Sequence, residues 1–317
     1  MIILPGRRRP LLLARTAAVS VLAALATVCW PAAEARAADP PFIGWSAALP
    51  GINWSYEPTS SDDCPAGRIS CVDKTIRQMQ RSFDPLAATC SHSAVFALAY
   101  LRTTEAYRST AVTPGFYADP AFVNHEEAAF AATYFSAYGD WTDGRIERVP
   151  PAWRIAFRAA ENREVSGTGD LLLGINAHVN RDLPFVLAAI GTTAPDGSSR
   201  KPDHDAINKM LNRVIQPLVA EQAARFDPDI ALLPTPYGIG YAGLLQMLVA
   251  WRESAWRHAE QLVQAPTPAA RSVVAETIEQ DAAANAAAIV ASTRYVSPVT
   301  TTASRDRYCA ARRDGAS

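Results

Sequence analysis

The chain has 317 residues, 49% of them hydrophobic and 19% charged, with 30 Lys and Arg against 31 Asp and Glu. An apolar fraction near one half excludes a disordered chain, and no residue type repeats at the period of collagen, solenoids or coiled coils. The balanced charge gives no electrostatic reason to expect nucleic acid or an anionic membrane as a partner.

The first element predicted is an export signal. Arg7, Arg8 and Arg9 form a positive start, Thr16 to Trp30 is uncharged and mostly apolar, and Ala35-Arg36-Ala37 supplies a small-x-small cleavage pattern. The apolar run is about 15 residues, short of the ~20 that span a bilayer, so cleavage near Ala37 is the better reading than an anchor. Cys29 suits a lipoprotein signal poorly because of Val28 before it, while Arg8-Arg9-Pro10-Leu11-Leu12 leaves a twin-arginine route open beside the general one. Without residues 1–37 the chain carries 25 basic and 30 acidic residues and is mildly acidic. It keeps Cys64, Cys71, Cys90 and Cys309, an even number that in an exported protein predicts disulfides. Of the three pairings, Cys64 with Cys71 and Cys90 with Cys309 is favoured: the first closes a short loop and the second ties the tail to the body.

An irregular arm over 38–70 leads into a series of helices. Val72, Ile76, Met79 and Phe83 make one stripe, and Asp84-Pro85 ends that helix. A second helix runs from about Thr89 to Ala111. Asp119 caps a third with Pro120 in its first turn, continuing to Tyr138, with Gly139 and Gly144 in the loop beyond. Pro150-Pro151 starts a fourth through Trp153 and Phe157. Asp170 to Ile190 makes a fifth, and Asp203 caps a sixth that reaches Phe226 with a kink at Pro217. A seventh spans Gly240 to Val263, and an Ala-rich eighth spans Pro268 to Ser292. No stretch alternates Val, Ile and Thr with polar residues. The prediction is an all-α bundle of about seven to eight helices over 71–295, a central apolar helix at about 170–190, and an irregular tail over 296–317.

That central helix carries the chemistry. Leu171-Leu172-Leu173 and Leu183-Pro184-Phe185-Val186-Leu187 are apolar on every side, the pattern of a helix enclosed by others, yet its middle reads Asn176-Ala177-His178-Val179-Asn180-Arg181-Asp182. At helical spacing Asn176 and Asn180 share one face, and His178, Arg181 and Asp182 lie nearly opposite. Each neutral polar group buried unpaired costs roughly 2 to 7 kcal/mol, and a charge costs more, so these groups need internal partners. Two readings stand side by side. In one, the polar centre is a structural network in which Arg181 neutralises Asp182. In the other, His178 and Asp182, one turn apart, are two ligands of a divalent metal, zinc by donor type, with His204 of Asp203-His204-Asp205 and His125 of Asn124-His125-Glu126-Glu127 completing the set. Glu126 or Asp205 then serves as general base, Arg181 meets substrate charge, and Asn176, Asn180 and Arg200 contact substrate. His92 and His258 read as structural. The polar stretch from Gly191 to Pro202 reads as a surface loop, or as a cover whose Arg200 and Lys201 meet an anion.

No Gly-x-Ser-x-Gly elbow, phosphate-cradling glycine loop, His-Glu-x-x-His or basic run occurs in the exported part. The run Gly174-Ile175-Asn176-Ala177-His178-Val179-Asn180-Arg181-Asp182-Leu183-Pro184, followed by Asp203-His204-Asp205-Ala206-Ile207-Asn208, resembles the signature of domain-of-unknown-function family 5995. Arg252-Glu253-Ser254-Ala255-Trp256 resembles its later helix. The resemblance brings no activity with it. A more distant likeness joins the pair His178 and Asp182 to helical zinc-dependent phospholipases C and nucleases, without their downstream His-x-x-x-Glu. Two functions are therefore expected as alternatives. One is an exported metal-dependent hydrolase of a phosphodiester or other anionic ester, acting on a small or lipid-like substrate; the other is a non-catalytic helical protein that binds a ligand or an envelope partner around a structural polar network.

Overall fold

A computed structural model describes residues 55–232 and 240–314, and the predicted export signal with its cleavage site lies outside them. Helix α1, Ile69–Ala88, forms where Val72, Met79 and Phe83 turn inward, all but fully buried. It runs through Asp84-Pro85, where the sequence predicts its end. A proline so near the terminus forfeits one hydrogen bond only, and Thr89 Oγ1 donates to the carbonyls of Pro85 and Leu86 at 3.0 and 3.2 Å. Helix α2, Ser93–Ala111, begins later than predicted because Cys90 takes a φ of 54°, in the left-handed region, and turns the chain.

Asp119 caps helix α3, Pro120–Thr142, by accepting from the Phe122 N–H at 3.1 Å, as the Asp-Pro pair predicts. The helix continues past Gly139, and the turn falls at Gly144, whose φ of 72° suits glycine. Helix α4 is Pro151–Glu161. The central helix is three pieces in line: α5 (Gly167–Ile175), a π-helical turn (Asn176–Asp182) and α6 (Leu183–Ile190). Pro184 explains the wide turn. It has no N–H for the carbonyl of Asn180, and its ring crowds that carbonyl, so the backbone opens one turn earlier. The polar heptapeptide singled out by composition is thus also the irregular piece of backbone.

Helix α7, Lys201–Arg225, passes unbroken through Pro217. Asp203 is not its cap, contrary to the sequence reading; its carboxylate accepts from the Ala118 and Asp119 N–H groups at 2.7 and 2.9 Å and fixes the entry to α3. Helices α8 (Gly240–Gln264) and α9 (Pro268–Thr293) follow. The C-terminal arm is not irregular throughout, because Thr302–Asp314 forms a further helix, α10. Among the described residues there is no strand, only isolated bridges joining Val165 to Arg294 and Thr193 to Ser199. Both favoured disulfides are present, Cys64 with Cys71 and Cys90 with Cys309, across 7 and 219 residues of sequence.

Packing around the central helix explains its composition. The small side chains of Ala282 and Ala286 on α9 are fully buried and let the two backbones approach, so that Asn176 Nδ2 donates to the Ala282 carbonyl at 2.9 Å. Leu183 and Leu187 of α6 pack with Ala255, Trp256 and Ala259 of α8. On the side of α2, a Cβ at Gly174 would lie 2.2 Å from Phe96 Cγ, so only glycine admits the Phe96 ring there. Helix α7 runs antiparallel to α2, with Gln222 Nε2 donating to the Val95 carbonyl at 2.7 Å, and antiparallel to α8, whose Arg252 meets the start of α7 at His204 and Asn208.

Candidate functional site

The polar side chains of the π turn bond one another and the helices around them. His178 Nδ1 lies 3.0 Å from Asp182 Oδ2, and because an ionised carboxylate only accepts, Nδ1 carries the proton. Trp153 Nε1 donates to the same oxygen at 2.9 Å, and the Thr133 hydroxyl lies 3.1 Å from it. Arg181 Nη1 donates to Asp182 Oδ1 at 3.0 Å, while its Nε and Nη2 reach Glu279 Oε1 on α9 at 2.9 and 2.7 Å. On the opposite face Asn180 Nδ2 donates to Asn176 Oδ1 at 2.9 Å. Burial pushes the Asp182 carboxyl up, but the His178 hydrogen bond and the Arg181 charge outweigh it and hold the group below its usual range. Burial likewise lowers His178, and the bond to Asp182 offsets that only in part. The ring is neutral, stacked on Phe130 at 3.4 Å and 4.4 Å from the Tyr100 ring between centroids.

The donors predicted to hold a metal are each engaged in different places. Among the described residues no group of three or more His, Cys, Asp or Glu side chains converges as a metal site requires. Asp182 directs its two oxygens at four donors from the protein. His204, on α7, uses both ring nitrogens on α8: Nε2 donates to the Arg252 carbonyl and Nδ1 accepts from Arg252 Nη2, each at 3.2 Å. His125 Nδ1 lies 3.0 Å from the Cys64 carbonyl. The ligand set of His178, Asp182, His204 and His125, expected to hold zinc, is therefore not assembled, because these helices bring their histidines to separate partners. Asp205 is exposed and bound to Lys201 at 2.8 Å. Arg181, Asn176 and Asn180 are bonded within the protein, Arg181 to Asp182 and Glu279, Asn176 to the Ala282 carbonyl and Asn180 to Asn176. Arg200 bonds Asp119 Oδ2 at 3.1 Å and lies 3.4 Å over the Phe122 ring, and Lys201 bonds Glu253 at 2.7 Å, so both loop cations have intramolecular partners.

His178 also stands on the wall of something the sequence does not announce. A cavity of about 120 Å³ runs between α2, α3, α7 and α8, with Tyr100, Phe130, Leu211, Ile215, Leu218 and Leu248 among its mostly apolar walls. On α7 its lining extends over about three turns, from Ile207 to Val219. The antiparallel helices make its two ends unlike. Leu218 and Val219 face Leu244 at one end. At the other, Glu126 and Glu127 of α3 meet Arg252 of α8. Burial pushes Glu126 up to about 7, opposed by the charge of Arg252. Glu127, half-buried, is pushed up to about 8 by the same desolvation, although Thr104 Oγ1 donates to it at 2.8 Å. Both side chains hold protons to near neutrality.

Arg252 is 5% exposed. Its Nε donates to Asn208 Oδ1 at 3.0 Å and Nη2 to the His204 carbonyl at 2.6 Å, yet it has no ion-pair partner among the described residues. His178 Nε2 and the Tyr100 hydroxyl are likewise buried without a hydrogen-bond partner there. Of the residues predicted from sequence, only Glu126 and His178 reach this cavity; Glu127 and Arg252 were not among them. A signal for Arg252 was present, since Leu244, Leu248, Arg252 and Trp256 recur every fourth residue and place a cation on a buried stripe.

Fold and site together define an all-helical, disulfide-stapled protein with an apolar cavity that is polar at one end. Residues 72–292 match the family described as "Family of unknown function (DUF5995)", and the chain belongs to that family. No curated protein and no solved structure matches it. No helix among the described residues is long and apolar enough to cross a membrane.

Proposed function

We propose that this protein binds a small, largely apolar molecule in the cavity between α2, α3, α7 and α8. The observation that carries the reading is the cavity itself, with buried polar groups on its wall that have no partner in the protein. Interiors are packed to crystal density, so an apolar void of about 120 Å³ is a departure from the rule. Its volume is close to the ~150 Å³ at which a dry apolar cavity takes up benzene. Buried polar atoms are ordinarily paired, so those of this wall left without a partner mark it as a surface built to meet something other than the protein itself. Two disulfides fit a place of action outside the reducing cytoplasm, where the export signal predicted from residues 1–37 directs the chain.

Titration of the purified protein with octan-1-ol, followed by calorimetry and by NMR shifts of methyl groups, tests the reading. Wild type binds, with shifts confined to Leu211, Ile215, Leu218 and Leu248, and Ile215→Phe, which fills the void, loses binding while remaining folded. No binding to wild type, or equal binding to Ile215→Phe, overturns it.

A further inference from the structure

We infer that the occupant of the cavity is a small aliphatic carboxylate whose carboxylate group lies at Arg252 and whose hydrocarbon part lies among the aliphatic side chains of α7 and α8. This rests on the cavity-binding reading above and names the ligand class.

Three features of geometry converge on it. The first is the lining: away from the polar end the space is bordered on α7 by Leu211, Ile215, Leu218 and Val219, with Leu244 and Leu248 of α8, apolar side chains that suit an aliphatic group rather than a sugar. The second is the unpaired cation. A guanidinium almost wholly removed from water normally faces a carboxylate, and a buried charge without one is costly. Arg252 instead has two neutral acceptors and the ring nitrogen of His204, with the cavity as its remaining neighbour. A planar fork of donors matches a carboxylate geometrically. The third is the placement of Glu126 and Glu127. Phe130, one turn beyond Glu127, is the ring stacked on His178, and Thr104, one turn beyond Tyr100, is the residue bonded to Glu127, so both carboxyl groups border the same end of the cavity. Ionised, they would repel a carboxylate; protonated, they donate hydrogen bonds to it, and their desolvated setting favours the protonated form.

An amine of the same length is the opposing occupant, since it would ask Glu126 and Glu127 to ionise beside it. Arg252 disfavours it by like charge. The polar end therefore distinguishes an anionic from a cationic head, with the neutral alcohol between them.

The experiment compares sodium octanoate, octan-1-ol and octylamine by calorimetry on the wild-type protein at pH 6. Octanoate binds about tenfold to a hundredfold more tightly than octan-1-ol, the span expected of one charge-assisted contact, and octylamine binds least. Arg252→Gln abolishes the preference for octanoate over octan-1-ol. If Arg252→Gln does not fold, Glu126→Gln supplies the second arm: removing a competing negative charge raises octanoate affinity at pH 8 and leaves it little changed at pH 6. Equal affinity for octanoate and octan-1-ol, or a preference for octylamine, overturns the inference and leaves the cavity reading standing. Failure of all three ligands to bind overturns the cavity reading itself.

Discussion

Two buried polar regions of the bundle, the π turn and the polar end of the cavity, are built in opposite ways. In the π turn every charge has its counter-charge: Asp182 receives His178, Trp153, Thr133 and Arg181, and Arg181 completes its pairing on Glu279. At the polar end of the cavity Arg252 has neutral partners only, beside two carboxyl groups that burial keeps protonated. A closed network explains its own presence as structure. An open one needs a partner that the chain does not contain. One residue takes part in both regions: His178 belongs to the closed network through Nδ1 and to the cavity wall through the rest of its ring.

The largest expected effect breaks the closed side. Asp182→Ala leaves Arg181 half-paired and His178 without its acceptor, and should cost about 3–5 kcal/mol of unfolding free energy in a urea titration. Reduction or replacement of Cys90 and Cys309 should cost about 2–5 kcal/mol, because their bridge closes 219 residues, and visibly more than loss of Cys64–Cys71, which closes 7. Gly174→Ala drives a methyl group against Phe96 and should cost about 1–3 kcal/mol through overpacking. On the open side Arg252→Gln should cost less than Asp182→Ala, about 1–2 kcal/mol, since it loses hydrogen bonds and no ion pair. A loss from Arg252→Gln equal to that from Asp182→Ala would show that the two regions do not differ in this way.

The two regions also differ in how stability depends on pH, and here they have opposite signs. Glu126 and Glu127 are raised from 4.5 to about 7 and about 8. The folded state therefore holds protons that the unfolded chain has released, and their contribution is full below pH 4.5 and lost as the pH rises through 7 to 8. Asp170, paired with His92 at 2.7 Å and pushed up to about 6 by burial, adds the same sign below that range. Asp182 lies below its ordinary value, so its contribution is present above pH 3.8 and is lost on acidification. Urea midpoints measured from about pH 5 to 9 should fall with rising pH in wild type and fall less steeply in Glu126→Gln. An unchanged slope in that variant would remove Glu126 from the open region.

Sequence periodicity found most of the bundle because amphipathic stripes and caps are local. Asp119-Pro120 and Pro150-Pro151 mark helix starts by chemistry that needs no neighbour, and the predicted boundaries failed where one was needed. Asp203 has the composition of a cap, but the backbone of another helix start, at Ala118 and Asp119, takes its carboxylate. Pro85 reads as a stop, but only the position of a proline within the last turn decides what it costs. The heptapeptide was visible as five polar residues out of place in an apolar helix, and Pro184 just beyond it marks the π turn. Which partners the polar side chains would find was not legible, since donors from several helices must meet at one point and sequence spacing relates only donors on one.

By itself, the sequence determined the all-helical class, the disulfide-compatible cysteine count, the buried central helix and a polar centre in need of internal partners, because each follows from the spacing of neighbours along one chain. Tertiary structure alone decided that His125, His178 and His204 serve different partners, that α7 runs antiparallel to both α2 and α8, and that these helices leave an apolar space between them. It also decided that Arg252 stands at one end of that space. A cavity is the volume that several surfaces fail to fill, and no single segment carries that information.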